Sequence, residues 1–423
     1  MKTPTLRLVI IGGGPAGVEA ARTAAPHATV TLVSAEAPGL WRPLASRVWL
    51  AAAAAGERST RAIAERAARA VAAWQEQCTT LLAGLEVQML AGRARLAGPG
   101  QVVVEPPDGA PEQRLAADAV IIATGAATVF PPGLEPNHVR ILADTELGTL
   151  EEPPRRALVI GDGTSGFELC HILNLLGAEV TWLVPEEAPR TRLAPEVDGY
   201  LTRMLERRGV VVAPEAHVQQ LVAGEREVMA ITADGERRLA DVAMVVSNYR
   251  SDPEAIGLPA DQATVDVYGQ TRWRGVYLVG DALEPCAASV AMAQGRAAAQ
   301  HALRRSSGPA DTRHIVLTFM ERPQVAKLGR LTTEGAHGSV TAALTEGLAA
   351  HIHETPEGFL TLAWDQAGRI AGALAVAPTA ADMLAPVAVA MRMGMRLEDL
   401  ASSYGPHPSL SELAALAARK MDR

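Results

Sequence analysis

The chain has 423 residues, of which 48% are hydrophobic and 20% charged, with a net charge of −8. That length exceeds one ordinary core and predicts two to four domains, and the hydrophobic fraction excludes a disordered chain. The acidic balance argues against a nucleic-acid partner, no apolar run is long enough to cross a bilayer, and the opening MKTPTLRL lacks the pattern of a secretion signal, so a cytoplasmic location is expected.

The first motif-bearing stretch runs from Leu6 to Ser34. Leu8-Val9-Ile10-Ile11 has the makeup of a buried parallel strand. Gly12, Gly14 and Gly17 follow in the spacing G-x-G-x-x-G, with Pro15 and Ala16 between the last two. An alanine-rich helical stretch and a second apolar strand, Thr29 to Val33, complete a βαβ unit. In that context the glycines predict a dinucleotide site. Gly12 permits the tight turn, Gly14 the approach of a pyrophosphate and Gly17 the close packing of the helix. The helix N-terminus offers unpaired N–H groups to the phosphates. The acid that usually ends the second strand and holds the ribose is absent. Ser34 stands there, with Glu36 two residues on, and either is a candidate for the ribose.

Residues 35–55 run from a turn into a helix, and 56–83 continue as polar, alanine-rich helix. Residues 84–116 alternate like short strands, with turn signals at Gly98-Pro99-Gly100 and Pro106-Pro107-Asp108-Gly109. Asp118 to Gly125, DAVIIATG, is a buried strand that ends at Thr124 and Gly125. Residues 126–156, rich in proline and charge, read as a connection.

A second βαβ unit begins at Ala157. Its strand leads into Gly161, Gly163 and Gly166, again G-x-G-x-x-G, with Ser165 inside the turn. A helix from Phe167 to Leu176 and a strand from Glu179 to Val184 follow. Two such fingerprints about a domain apart predict two nucleotides held face to face, and the economical chemistry is hydride exchange between a flavin and a nicotinamide. The strand-terminal acid is missing here too. Val184 takes its place, with Glu186 and Glu187 beyond and Arg190 and Arg192 near, so the choice between NADH and NADPH stays open.

Further on, Thr271 to Asp281, TRWRGVYLVGD, reads as a turn, a buried strand and then Gly280-Asp281. Residues 287–303 are helical and 304–313 a polar linker. Strand patterns fill 314–376, and helices are expected at 378–394 and 409–420. Three cysteines, Cys78, Cys170 and Cys286, lie too far apart for a C-x-x-C site. No cluster has metal-ligand spacing. His351 and His353, an isolated H-x-H in a polar stretch that would share a face on a strand, read as a solvated pair.

Five segments in order resemble the flavoprotein disulfide reductases, the group of lipoamide dehydrogenase, glutathione reductase and mercuric reductase. They are IGGGPAG, the IIATG of Ile121 to Gly125, GDGTSGFE, the VYLVGD of Val276 to Asp281, and HPSLSE near the end. Arg322-Pro323-Gln324-Val325-Ala326 resembles the entry to that family's interface domain. The resemblance spans nearly the whole chain. It implies an α/β protein with two Rossmann-like dinucleotide-binding domains and a C-terminal α+β dimerisation domain. The expected boundaries are 1–150 and 265–310 for the FAD domain, 151–264 for the NAD(P) domain and 311–423 for the domain that builds a homodimer. By the same resemblance Asp281 binds an FAD ribityl hydroxyl, and Glu168 sits beside nicotinamide and flavin. His407 and Glu412 match the catalytic histidine and its glutamate partner, which face the flavin of the other subunit.

The departures carry as much as the match. The family's C-x-x-x-x-C pair would fall near residues 38–43, where this chain has Pro38-Gly39-Leu40-Trp41-Arg42-Pro43. A dithiol relay is chemically impossible there. Ala45-Ser46-Arg47 resembles the family's P-S-K, with Arg47 in place of the lysine that pairs with the glutamate matched by Glu168. Arginine keeps the charge but cannot lose its proton. Cys286 follows Gly280-Asp281 at an expected helix N-terminus, which would lower a thiol pKa, and packing is its other role. Trp41 and Trp49 are either lining for the space left by the disulfide or core fillers. The expectation is an FAD-dependent enzyme that passes electrons from NAD(P)H directly to a small, quinone-like acceptor. The alternatives are a single-thiol enzyme using Cys286 on a sulfur substrate, and a non-catalytic flavin-binding dimeric subunit.

Overall fold

The computed structural model describes residues 6–421 except 42, 192, 307 and 356. The chain divides into two compact units. One comprises residues up to Ala45, Arg66–Val129 and Asn248–Thr312; the other comprises Ser46–Glu65, Phe130–Ser247 and Arg313 onward.

In the first unit five strands form a parallel sheet in the order Val276–Leu278, Ala119–Ile122, Arg7–Ile11, Thr29–Ser34, Gln88–Ala91. The strands are apolar on both faces because both are covered. Leu8 and Ile10 point toward the helices Pro15–Ala24 and Ala288–Ala302. Val9 and Ile11 point the other way, onto Leu96, Val102 and Val104 of a three-stranded antiparallel sheet built from Arg93–Gly98, Gln101–Glu105 and Gln113–Ala116. The alternation expected for 84–116 divides between the sheet's edge strand, Gln88–Ala91, and this second layer. Alanine and glycine make the helix pair close: a Cβ at Gly295 would stand 2.3 Å from the Ala16 carbonyl oxygen.

The second unit holds another five-stranded parallel sheet, in the order Val211–Ala213, Glu179–Leu183, Arg156–Ile160, Val242–Val245, Ile141–Ala143. Helix Gly163–Leu175 follows its central strand, and a three-stranded antiparallel sheet spans Val218–Ala223, Val228–Thr232 and Arg237–Ala240. The stretch 126–156 is therefore more than a connection. Ile141–Ala143 is the edge strand of this sheet, and in the first unit Ala127–Val129 pairs with Asn248–Arg250. Three-residue strands are too short to show a period, and the first is set up by a side chain, because Asn137 Oδ1 accepts the N–H groups of Val139, Arg140 and Ile141.

The same unit carries a five-stranded antiparallel sheet, Leu317–Phe319, Gln324–Gly329, Ile370–Ala377, Phe359–Trp364, Gly338–Ala343. Every residue of Ile370–Ala377 is buried. Helix Ala380–Arg392 covers the sheet core together with Leu397–Ala401, a helix absent from the sequence reading. The expected last helix, 409–420, is shorter: a 3₁₀ turn, Leu410–Glu412, precedes Leu413–Ala418. His351 lies on the short helix Leu348–Ile352 and not on a strand, with Nε2 2.9 Å from the Thr345 carbonyl oxygen. Among the described residues no group of histidine, cysteine and acid could hold a metal, and no helix is long and apolar enough to cross a membrane.

Candidate functional site

The C-terminal ends of the first sheet's strands converge on the first glycine turn, the place where dinucleotides bind in such folds. Gly12 sits at φ +110°, and a Cβ there would lie 2.2 Å from the Ala123 carbonyl oxygen. A Cβ at Gly17 would lie 1.9 Å from the Gly12 carbonyl oxygen, so helix and strand touch backbone to backbone. Gly14 differs: it caps the helix that Pro15 begins, and its nearest neighbour to a Cβ is the Leu40 carbonyl oxygen at 3.7 Å. That open space beside free N–H groups is what an incoming pyrophosphate needs. Ala16 is buried beneath Gly280 and Gly295. Gly280 N–H donates to Gln294 Oε1 at 2.7 Å, which fixes the approach to Asp281. One Asp281 oxygen accepts the Cys286 N–H at 2.9 Å. Thr124 and Gly125 form the loop after the strand Ala119–Ile122. Ser34 ends its strand half-buried against the glycine turn, whereas Glu36 is exposed two residues past it. These residues fit an FAD.

The second turn repeats the plan with different packing. Gly161 is at φ +116°, Gly163 opens the helix, and a Cβ at Gly166 would strike the Trp182 ring at 2.7 Å. Trp182 Nε1–H in turn donates to the Gly161 carbonyl at 2.8 Å, so the indole locks both ends of the turn. Val184 is fully buried, Glu186 and Glu187 are exposed, and Arg192 lies outside the described residues. Arg190 is tied through its N–H to Asp162 at 2.9 Å.

Sequence reasoning missed Asp144. It is buried just past the edge strand Ile141–Ala143 and accepts the Ser247 hydroxyl at 2.6 Å and the Ser165 hydroxyl. Burial raises its carboxyl above the ordinary value, against those hydrogen bonds. No motif flags a lone Asp in a loop.

Arg47 and Glu168 do meet. Arg47, on the helix Pro43–Ala54, places Nη1 3.2 Å from Glu168 Oε1. It also donates to the carbonyl oxygens of Met320 at 3.2 Å and Thr318 at 3.0 Å. Met320 N–H donates to the same glutamate oxygen at 2.8 Å. The planar fork spreads these contacts over two nitrogens, Nη1 and Nη2, so it does more than replace a lysine's point charge. Burial pushes the Glu168 carboxyl up, and the neighbouring Arg47 charge pulls it back.

His407 and Glu412 also meet, with Nδ1 2.9 Å from Oε2. The histidine is 64% exposed and the glutamate only 16%. The carboxylate holds one ring nitrogen and leaves Nε2 for a substrate. No hydrogen bond or ion pair joins this dyad to the Arg47–Glu168 pair among the described residues.

Two open readings are narrowed toward packing. Cys286 stands two residues before the helix Ala288–Ala302, and it packs against the core of its unit. Burial first, then the Asp281 charge, push its thiol up to about 12, the opposite of helix-end activation. Trp49 is a core residue, 1% exposed. Trp41 is half-buried, and Arg42 lies outside the described residues. Cys78 and Cys170 are buried, as expected of core residues.

Residues 6–295 match the family described as pyridine nucleotide-disulphide oxidoreductase, and 318–418 match its dimerisation domain. An NAD(P)H dehydrogenase (quinone) from Mycobacterium tuberculosis is 30% identical, over 98% of this chain and 94% of its own. A dihydrolipoyl dehydrogenase from Chlorobaculum tepidum is 29% identical, over 80% and 76%. The crystal structure of LpdA from Mycobacterium tuberculosis superposes with a TM-score of 0.92 at 26% identity, covering 98% of this chain and 99% of that one. Two glycine turns that exclude side chains, strand ends gathered around them and a C-terminal antiparallel sheet are thus the parts of a known plan, and the chain belongs to the pyridine nucleotide-disulphide oxidoreductases, as an FAD-dependent enzyme that uses NAD(P)H.

Proposed function

We propose that this enzyme delivers electrons from NAD(P)H, by way of FAD, directly to a small quinone-like acceptor, with no dithiol relay, and that it does so in the cytoplasm as a homodimer. The observation that carries this reading is chemical: residues 38–48, PGLWRPLASRV, contain no sulfur where the resemblance places the redox pair. The 30% identity to a relative named NAD(P)H dehydrogenase (quinone) supports the acceptor class. Bound FAD supplies the chemistry that thiols otherwise share, since it can take two electrons and release them singly or together.

The chain's own residues then do the following. Gly12, Gly14, Pro15, Ala16 and Gly17 present helix N–H groups to the FAD pyrophosphate. Ser34 meets the ribose, because Glu36 is exposed two residues beyond the strand's end. Thr124, Gly125, Gly280 and Asp281 line the rest of that crevice. Gly161, Gly163, Ser165 and Gly166 hold the nicotinamide dinucleotide in the same manner. Arg47 keeps a fixed positive charge beside Glu168. Within each chain His407 Nε2, with Nδ1 fixed by Glu412, is placed to give a proton to a reduced acceptor at the partner's site. The test is turnover of a simple benzoquinone with NADH and with NADPH, by the parent and by a variant with Cys78, Cys170 and Cys286 all changed to alanine. Turnover should persist in the variant, and neither protein should reduce lipoamide. Thiol-dependent turnover would refute the proposal.

A further inference from the structure

The second unit carries a cavity of about 1080 Å³ that none of the residues assigned above lines. Its walls come from the helix Pro195–Arg207 and the residue after it, from Arg322-Pro323, from His353, Thr355 and Glu357, from the start of the helix Ala380–Arg392, and from Pro408 to Ser411. Its charges are unbalanced. Arg207 is 3.6 Å from Glu357, which offsets it. Arg208 and Arg322 have no ion pair and no side-chain hydrogen bond among the described residues, and His353 is exposed beside them. Asp382 is the one other carboxylate in the lining. The field of Arg208 reaches inward: after burial itself, it is the main cause that lowers the enclosed His171 to about 4. Met204, Met383 and Leu410 give the same cavity an apolar portion. Arg322 is a non-glycine residue held in the left-handed region, at φ 52°, a conformation that concentrates at ligand sites.

We propose that this cavity is a second ligand site, for a small amphipathic anion with an apolar body and a single carboxylate or phosphate head held by Arg208 and Arg322. The volume suits a drug-sized ligand, and a few polar groups in a partly apolar wall are the ordinary makeup of such sites. Two of its walls continue into the catalytic groups proposed above. Met320, two residues before Arg322, bonds both Arg47 and Glu168. Pro408 directly follows His407. Binding here therefore bears on both.

The test is calorimetric titration of the full-length, FAD-loaded protein with octanoate, octyl phosphate and octylamine. One equivalent of at least one of the two anions should bind per chain, and comparing the two tells a carboxylate site from a phosphate site. The amine should not bind. Arg208→Gln and Arg322→Gln change exposed side chains outside the catalytic groups, so flavin content and NAD(P)H oxidation stay as in the parent. Each should weaken the anion about tenfold or more, the value of a charge-assisted hydrogen bond. Leu410→Asp should weaken it through the apolar end. Equal binding of the amine, unchanged affinity in both arginine variants, or no anion binding at ~10 mM overturns the proposal. So does an anion that binds only by splitting the dimer, since the cavity would then be a seat for the second copy.

Discussion

Arg47→Met tests how the buried pair is held. Arg47 is 18% exposed and Glu168 12%, so solvent screens this pair far less than a surface pair. Removing the guanidinium leaves the Glu168 carboxyl in place with the Met320 N–H as its remaining donor. Breaking a buried pair from one side costs about 3–5 kcal/mol. The bonds from Arg47 to Met320 and Thr318 belong to the same group and are not counted again. A loss of about 4 kcal/mol lowers the melting temperature of a unit this size by roughly 10 °C. The loss depends on pH. Burial raises the native Glu168 value above that of the unfolded chain, and Arg47 opposes the rise, so the variant's carboxyl lies higher still. A carboxyl raised in the native state costs nothing while both states are protonated. Its cost grows as pH climbs from the unfolded value, about 4.3, through the native one. The gap between parent and variant should therefore be smallest near pH 4–5 and widen toward pH 8. Adding Glu168→Gln removes the charge and should recover at least half the loss at pH 8 but little at the acid end. Thermal melts of the three proteins across that range decide it. A gap of constant size, or one that Glu168→Gln leaves untouched, refutes the reasoning.

Gly17→Ala places a Cβ 1.9 Å from the Gly12 carbonyl oxygen, with rigid backbone on both sides, and should give colourless or unfolded protein. Gly14→Ala, whose Cβ meets nothing within 3.6 Å, should fold normally and lose FAD more readily on dialysis. A yellow Gly17→Ala protein with parental FAD content would contradict the packing argument. Cys286→Ser should leave turnover and the alkylation profile at pH 8 nearly unchanged, because the thiol is pushed up to about 12; abolished turnover would restore the single-thiol alternative. His407→Ala should slow acceptor reduction by about two to four powers of ten, the usual value of general acid help, with NAD(P)H-driven bleaching close to parental. Stopped-flow absorbance separates the two steps, and an unchanged second step would leave the dyad as an interface feature. Light scattering at micromolar concentration should give the mass of a dimer, through residues 311–423, and a monomer would contradict the homodimer.

Both βαβ units were legible because a buried parallel strand, a glycine turn and a helix start are all local: each is set by residues within about ten positions, and Gly12, Gly17, Gly161 and Gly166 occupy places that a side chain could not. The Arg47–Glu168 and His407–Glu412 pairs were legible only through resemblance: the first joins residues over 100 positions apart, and in the second a separation of five residues carries no pattern that predicts a contact. What escaped was short or non-local. Ile141–Ala143 is a strand because Ala243 to Val245 lie beside it, not because three residues show a period. Asp144 matters through Ser165 and Ser247, which the fold brings to it. The helix-end argument for Cys286 failed because the helix begins two residues later and Asp281 stands nearby with the same charge as a thiolate.

The two pairs differ in a way that matches the different tasks proposed for them. A proton donor must exchange its proton with substrate and then with water, so it belongs at an accessible place. His407, exposed and held at one nitrogen by a less exposed carboxylate, has that form. A fixed charge must not exchange at all. An arginine side chain suits that role, and the fork of Arg47 is locked to two carbonyl oxygens and a carboxylate. Neither arrangement calls for a sulfur atom. The same geometry braces the segment Thr318–Met320 against the helix that carries Glu168, so the pair retains a structural reason to exist when the dithiol is absent. The dyad has no such brace: its bond is internal, between residues five apart. The proposed proton transfer would give it a reason to exist that packing does not supply, and the oxidative half-reaction of His407→Ala is the measurement on which that distinction turns.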